Sequence, residues 1–117
     1  MPATSNASPL ITLAKIERLR LLKDLYGTIF ITPFVKVESV DKGKELGALD
    51  ALEIENAINE GWIKMAKLTR AQNQAAQRLL SRARIGLGEA GALALAKSKK
   101  MLAVLDDKEA RALAKGF

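Results

Sequence analysis

Short apolar runs alternate with longer amphipathic ones along the chain, and that alternation restricts the fold more than any other feature. Thr28-Ile29-Phe30-Ile31-Thr32, Trp62-Ile63-Lys64-Met65-Ala66 and Met101-Leu102-Ala103-Val104-Leu105 have the length and the apolar or alternating content of strands. Segments with helical spacing lie between them. Ser8-Pro9 is a helix start, because serine caps and proline at the first helical position forfeits no needed N–H. Leu10, Leu13, Ala14, Leu21, Leu22 and Leu25 carry the stripe of that helix, and Gly27 ends it. Thr32-Pro33 restarts a helix that bears Glu38, and a polar break follows at 41–44. A third helix is predicted over 46–60, with Leu46, Leu49, Leu52, Ile54, Ala57 and Ile58 on one stripe and Gly61 as its stop. Residues 69–84 predict a Gln-, Ala- and Arg-rich helix. After Gly86-Leu87-Gly88, residues 89–98 predict a small-residue helix suited to close packing. A last amphipathic helix is expected after Asp106-Asp107, ending at Gly116. Strands alternating with helices predict an α/β fold with a parallel sheet, in one domain spanning residues 1–117.

Open parallel sheets hold their ligands outside the carboxyl ends of their strands. Glu38 lies in the helix after one strand, Asp106 and Asp107 follow another directly, and Glu89 opens a helix. If residues 1–5 form even a short strand, Asn6 joins the same edge. Each acid alone has a simpler reading: Glu89 complements a helix dipole, Asp106 or Asp107 caps a helix, and Glu38 sits on an exposed face. Together on one edge they form a candidate cation site, because clustered carboxylates repel one another and a bound cation resolves that repulsion.

Composition narrows the chemistry. The chain has no histidine and no cysteine, which excludes a zinc hydrolase of the usual ligand types, a cysteine nucleophile, a serine–histidine–aspartate triad and a histidine base. Catalysis would rest on carboxylates, and an oxygen-only donor set selects Mg²⁺ or Mn²⁺. No secretory signal pattern opens the chain and no apolar run reaches membrane-span length, so a cytoplasmic location and no membrane partner are expected.

The net charge of +6 is unevenly placed. Residues 1–61 carry 7 basic and 9 acidic side chains, whereas residues 62–117 carry 12 and 4. The basic half suits a polyanion such as RNA, with Arg78 and Arg82 one helical turn apart and Arg84 just beyond. No aromatic side chain lies among these basic residues, so phosphate contacts rather than stacking are expected there. A solvated basic face is the alternative.

Gly86-Leu87-Gly88-Glu89-Ala90-Gly91 also fits the G-x-G-x-x-G pattern of a nucleotide-binding domain, with Asp106 and Asp107 about twenty residues on. Against it, the preceding residues 77–84 are helical in character, and Glu89 would place a carboxylate where a pyrophosphate must sit.

Ser5-Asn6-Ala7-Ser8-Pro9-Leu10-Ile11, then Leu13-Ala14-Lys15-Ile16, Ile31-Thr32-Pro33 with Glu38, Gly86-Leu87-Gly88-Glu89-Ala90 and Leu105-Asp106-Asp107-Lys108-Glu109-Ala110-Arg111 together resemble the PIN-domain family. The likeness is to its compact prokaryotic branch, related to the toxins of VapBC-type toxin–antitoxin pairs. It implies a three-layer α/β/α sandwich and an Mg²⁺- or Mn²⁺-dependent endoribonuclease that hydrolyses RNA phosphodiester bonds. By position, the resemblance assigns Asn6, Glu38, Glu89, Asp106 and Asp107 to the metal, with Glu38, Glu89 and Asp107 catalytic. Its partners would be RNA and an antitoxin protein.

Three departures accompany the resemblance. The first acid is replaced by Asn6, the segment Pro2-Ala3-Thr4-Ser5 is too polar and short for the usual central first strand, and the last strand is expected to be missing. The first and third allow another reading, a catalytically weak or inactive PIN-like module that binds RNA or protein. They also predict a homodimer that covers apolar helix faces at 10–25 and 46–58.

Overall fold

Ala3–Ser5 forms strand β1 despite two polar side chains, which corrects the expectation drawn from its composition. The computed structural model describes residues 1–105, so the last helix and Asp106 and Asp107 lie outside the described residues. The strand is fully buried, and Thr4 Oγ1 donates to the carbonyl of Ala92 at 3.0 Å. A buried hydroxyl with a partner costs far less than an orphan, and that partner lies 88 residues away.

Three further strands complete a parallel sheet: β2 (Ile29–Ile31), β3 (Ile63–Met65) and β4 (Leu102–Val104), in the order β3-β2-β1-β4. Ala3 lies opposite Ile29 on one side and Leu102 on the other, while Ile29 aligns with Ile63. All three interior runs read as strands are therefore strands, each trimmed at its ends.

The helices are α1 (Ala7–Lys15), α2 (Arg20–Tyr26), α3 (Pro33–Lys36), α4 (Lys42–Glu45), α5 (Leu49–Glu60), α6 (Arg70–Arg82) and α7 (Leu87–Lys99). They sandwich the sheet. Leu10, Leu22, Ile54 and Ala57 pack with Ala3, Ile29, Ile31 and Ile63 on one face. Ala92 and Leu93 of α7 pack with Leu105 on the other, and α6 lies over α7 through Ala76 and Leu79. Alanines and glycines along α7 let its backbone come near enough to the sheet for Thr4 to reach Ala92.

Several boundaries differ from those expected. The single helix over 10–25 is two, broken where Glu17 adopts φ 59°. The first helix starts at Ala7 with Asn6 in the cap position, not at Ser8. Pro9 is then the third helical residue, still within the turn whose N–H groups lack intrahelical acceptors. Residues 41–44 are no break: α3 runs through a π-helical turn (Val37–Asp41) into α4. Lys36 and Asp41, five residues apart, are brought together by that wider turn and pair at 2.7 Å. The break falls later, at Gly47 with φ 71°, so Leu46 and Leu49 stand outside the buried stripe. Around α6 the sequence is explicit: Thr69 and Gln72 form a capping box, each side chain accepting from the other's backbone N–H.

Leu21, Leu25, Leu46, Leu49 and Leu52 are exposed, while Leu10, Leu22 and Ile54 belong to the core. Among the described residues, no helix is long and apolar enough to cross a membrane.

Candidate metal centre

The parallel strands deliver Asn6 and Thr32 to the same edge of the sheet, since each directly follows a strand. Thr32 caps α3, its Oγ1 accepting from Val35 N at 3.3 Å. The cap fixes where the helix begins and so where Glu38 falls, in the π-helical turn. Ser39 Oγ donates to the Val35 carbonyl at 2.7 Å across that turn. The chain returns to this edge at Gly86, the N-cap of α7, and Glu89 takes the third helical position.

Asn6, Glu38 and Glu89 line one cleft of about 270 Å³, together with Phe34, Leu87 and Gly88. Asn6 is a cap residue that makes no cap hydrogen bond. Its Nδ2 donates instead to Glu89 Oε1 at 3.2 Å. With the amide nitrogen given to the carboxylate, Oδ1 is buried and has no hydrogen-bond partner. A buried acceptor left unmet costs about 1–3 kcal/mol.

Two glycines set how closely the walls approach. A Cβ on Gly88 would lie 3.2 Å from Glu38 Oε1 and 3.6 Å from Phe34 Cδ1. A Cβ on Gly86 would lie 2.5 Å from Glu89 Oε2. Gly88 thus lets α7 lie against the Glu38 carboxylate, while Gly86 leaves room for the Glu89 side chain of its own helix. The G-x-G-x-x-G string follows helix α6 rather than a strand, so the context a dinucleotide fingerprint requires is absent.

Of the five residues assigned to a cation, the structure brings together Asn6, Glu38 and Glu89; Asp106 and Asp107 lie outside the described residues. Among the described residues no group of three acids gathers closely enough to form a metal cluster. The residues lining the cleft offer two carboxylates and one amide as donors. That donor set is all oxygen, and its unpartnered Oδ1 has the character of a missing electropositive neighbour, which fits a hard divalent cation. Arg78 and Arg82 are exposed on α6, and Arg84 is exposed in the connection that enters the cleft at Gly86.

Two wall residues were not foreseen. Phe34 and Leu87 are exposed, at 40 % and 53 %, and both line the cleft. In the sequence they read as ordinary apolar residues near helix starts. An aromatic directly after the Thr32-Pro33 pair is the signal that would have marked the first.

A family model described as a PIN domain matches residues 2–117. No curated protein matches the sequence significantly. Among solved structures, the chain resembles Mycobacterium tuberculosis VapC20, a Sarcin-Ricin loop cleaving toxin, with TM-score 0.70 and 16 % identity over 95 % of this chain and 94 % of that one. It also resembles PAE2754 from Pyrobaculum aerophilum, with TM-score 0.63 and 18 % identity over 99 % of this chain and 90 % of the other. The α/β sandwich, its parallel sheet and the family match agree, and the chain belongs to the PIN-domain family.

Proposed function

We propose that this single-domain protein is an Mg²⁺- or Mn²⁺-dependent endoribonuclease of the toxin type, paired with an antitoxin and acting in the cytoplasm. The observation that carries the reading is that Asn6, whose Oδ1 is buried without a hydrogen-bond partner, lines one cleft with Glu38 and Glu89. Asn6, Glu38 and Glu89 would hold the cation, with Asp106 and Asp107 as further ligands. Such a cation lowers the pKa of water and offsets charge building on the scissile phosphate.

The chain's own residues contribute positioning. Asn6 Nδ2 fixes the Glu89 carboxylate through its hydrogen bond. The π-helical turn presents Glu38. The exposed Arg78 and Arg82 of α6, with Arg84, supply positive charge for an RNA backbone. The family match and the fold of an RNA-cleaving toxin support the same reading.

The test is RNA cleavage by the purified chain in Mn²⁺. Cutting should stop with chelator and with Glu38→Gln or Glu89→Gln. Cutting that persists in chelator would overturn the assignment. A second reading, a non-catalytic RNA- or protein-binding module, is favoured by the neutral Asn6 at the first ligand position. Calorimetric Mn²⁺ titration separates the two: heat that vanishes in Glu89→Gln belongs to the enzyme, and no heat at millimolar metal belongs to the module.

A further inference from the structure

A second cavity, of about 250 Å³, adjoins the carboxylate cleft and shares Phe34 and Leu87 with it as common walls. It lies at the carboxyl ends of β2 and β3, whereas the cleft lies at that of β1. Its floor is apolar. Gly91 keeps that floor open, because a Cβ there would lie 3.3 Å from Thr32 Cγ2 and 3.5 Å from Leu68 Cδ1. Its rim is polar: Asn73 and Gln77 stand one turn apart on α6, and Lys67 follows β3.

We propose that this groove receives one unpaired nucleobase of an RNA strand, the base adjoining the phosphate held at the carboxylate cleft. The proposal deepens the ribonuclease reading and takes the site's position from it. Four features favour a base over an apolar side chain of a protein partner. The volume falls below the roughly 300–1,000 Å³ of sites for drug-sized ligands and suits one planar ring system. Phe34 is an exposed aromatic on the wall between groove and cleft, and exposed aromatics beside basic residues are how single-stranded RNA is stacked. Asn73 and Gln77 each offer an amide donor and an amide acceptor, the pairing a base edge requires. Lys67 at the rim provides a cation for the adjoining phosphate. Neighbouring strands are about 4.8 Å apart, so groove and cleft are separated by one or two strand spacings, the reach of one nucleotide.

The test titrates the isotope-labelled chain with the four nucleoside 5′-monophosphates, with ribose 5-phosphate and with N-acetyl-leucine amide. It reads the side-chain amide resonances of Asn73 and Gln77 by nuclear magnetic resonance. At least one nucleotide should shift them saturably while ribose 5-phosphate does not. Asn73→Leu/Gln77→Leu, which alters only exposed positions and is followed by the backbone amide resonances of residues 67–77, should reduce the affinity difference between bases by roughly tenfold, the discrimination typical of one good bidentate base contact. Gln77→Trp should fill the groove and abolish the effect. No shift from any nucleotide, or equal shifts from ribose 5-phosphate, would overturn the proposal. Shifts from N-acetyl-leucine amide alone would overturn it in favour of a protein side chain. If the shifts occur in a chain that cuts no RNA in Mn²⁺, the base site stands and the nuclease reading fails. Their absence in a chain that cuts RNA sinks the base site alone.

Discussion

Asn6 Nδ2 donates to Glu89 Oε1 at 3.2 Å, joining residues 83 apart in sequence at the N-termini of α1 and α7. The amide therefore acts as a spacer between what would otherwise be two carboxylates. It puts a hydrogen bond where two acids would repel, and as a proposed ligand it would hold a cation more weakly than an acid.

Asn6→Asp tests that balance. The hydrogen bond becomes a like-charge contact, which should destabilise the metal-free protein by about 1–3 kcal/mol. Mn²⁺ affinity should rise by roughly tenfold or more through the added charge, and saturating Mn²⁺ should recover the lost stability. Thermal unfolding with and without metal, together with calorimetry, measures both. A variant as stable as the parent without metal would show that Asn6 does not perform this spacing.

Gly88→Ala should separate stability from site geometry. In a helix, alanine is favoured over glycine by about 1 kcal/mol. Yet the new methyl would lie 3.2 Å from Glu38 Oε1 and push that carboxylate aside. The expected result is an unchanged or raised melting temperature with Mn²⁺ binding weakened severalfold. Loss of stability instead would mean that the glycine serves packing against Val35 and Phe34 more than the acid.

Arg78→Ala and Arg82→Ala change exposed residues of α6, and Arg84→Ala one just beyond it. If each meets a phosphate, each change should lower the slope of log affinity against log salt by about one, for unrelated RNAs alike. Fluorescence anisotropy across a salt series reads that slope. A loss confined to one RNA sequence would point to base contact.

The exposed leucines predict self-association. Leu25, Leu46 and Leu49 are 68 %, 86 % and 77 % exposed, and burying apolar surface contributes about 25 cal/mol per Å². A homodimer is expected at micromolar concentration by sedimentation, and Leu25→Glu/Leu49→Glu should convert it to a folded monomer. A parent chain that sediments as a monomer would overturn this.

The sheet and most of its helices were legible because their signals are local: the apolar runs at 28–32, 62–66 and 101–105, and the helix start at Thr32-Pro33. What stayed hidden depends on distant partners. Thr4 and Ser5 look too polar for a central strand until Ala92 is seen to receive the Thr4 hydroxyl. Leu10 to Leu25 has one helical period, and only the left-handed Glu17 divides it. That Asn6, Glu38 and Glu89 share a cleft was partly legible for a topological reason, since Asn6 directly follows β1 and Glu38 lies in the helical run after β2, at one edge of a parallel sheet. The orphaned Oδ1, the tight contact at Gly88 and the wall made by Phe34 are facts of packing with no signature in spacing.

The place of β1 has a bearing on synthesis. Its three residues are made well before Leu102–Val104, yet they pair with them, and Asn6 N reaches Val104 O at 3.4 Å. Until the ribosome has added β4, the middle strand has an open edge and the sheet is incomplete. Contacts this distant along the chain form late and slowly. The nascent polypeptide is therefore without its finished cleft until β4 has been made, so an activity seated there would begin only after that point.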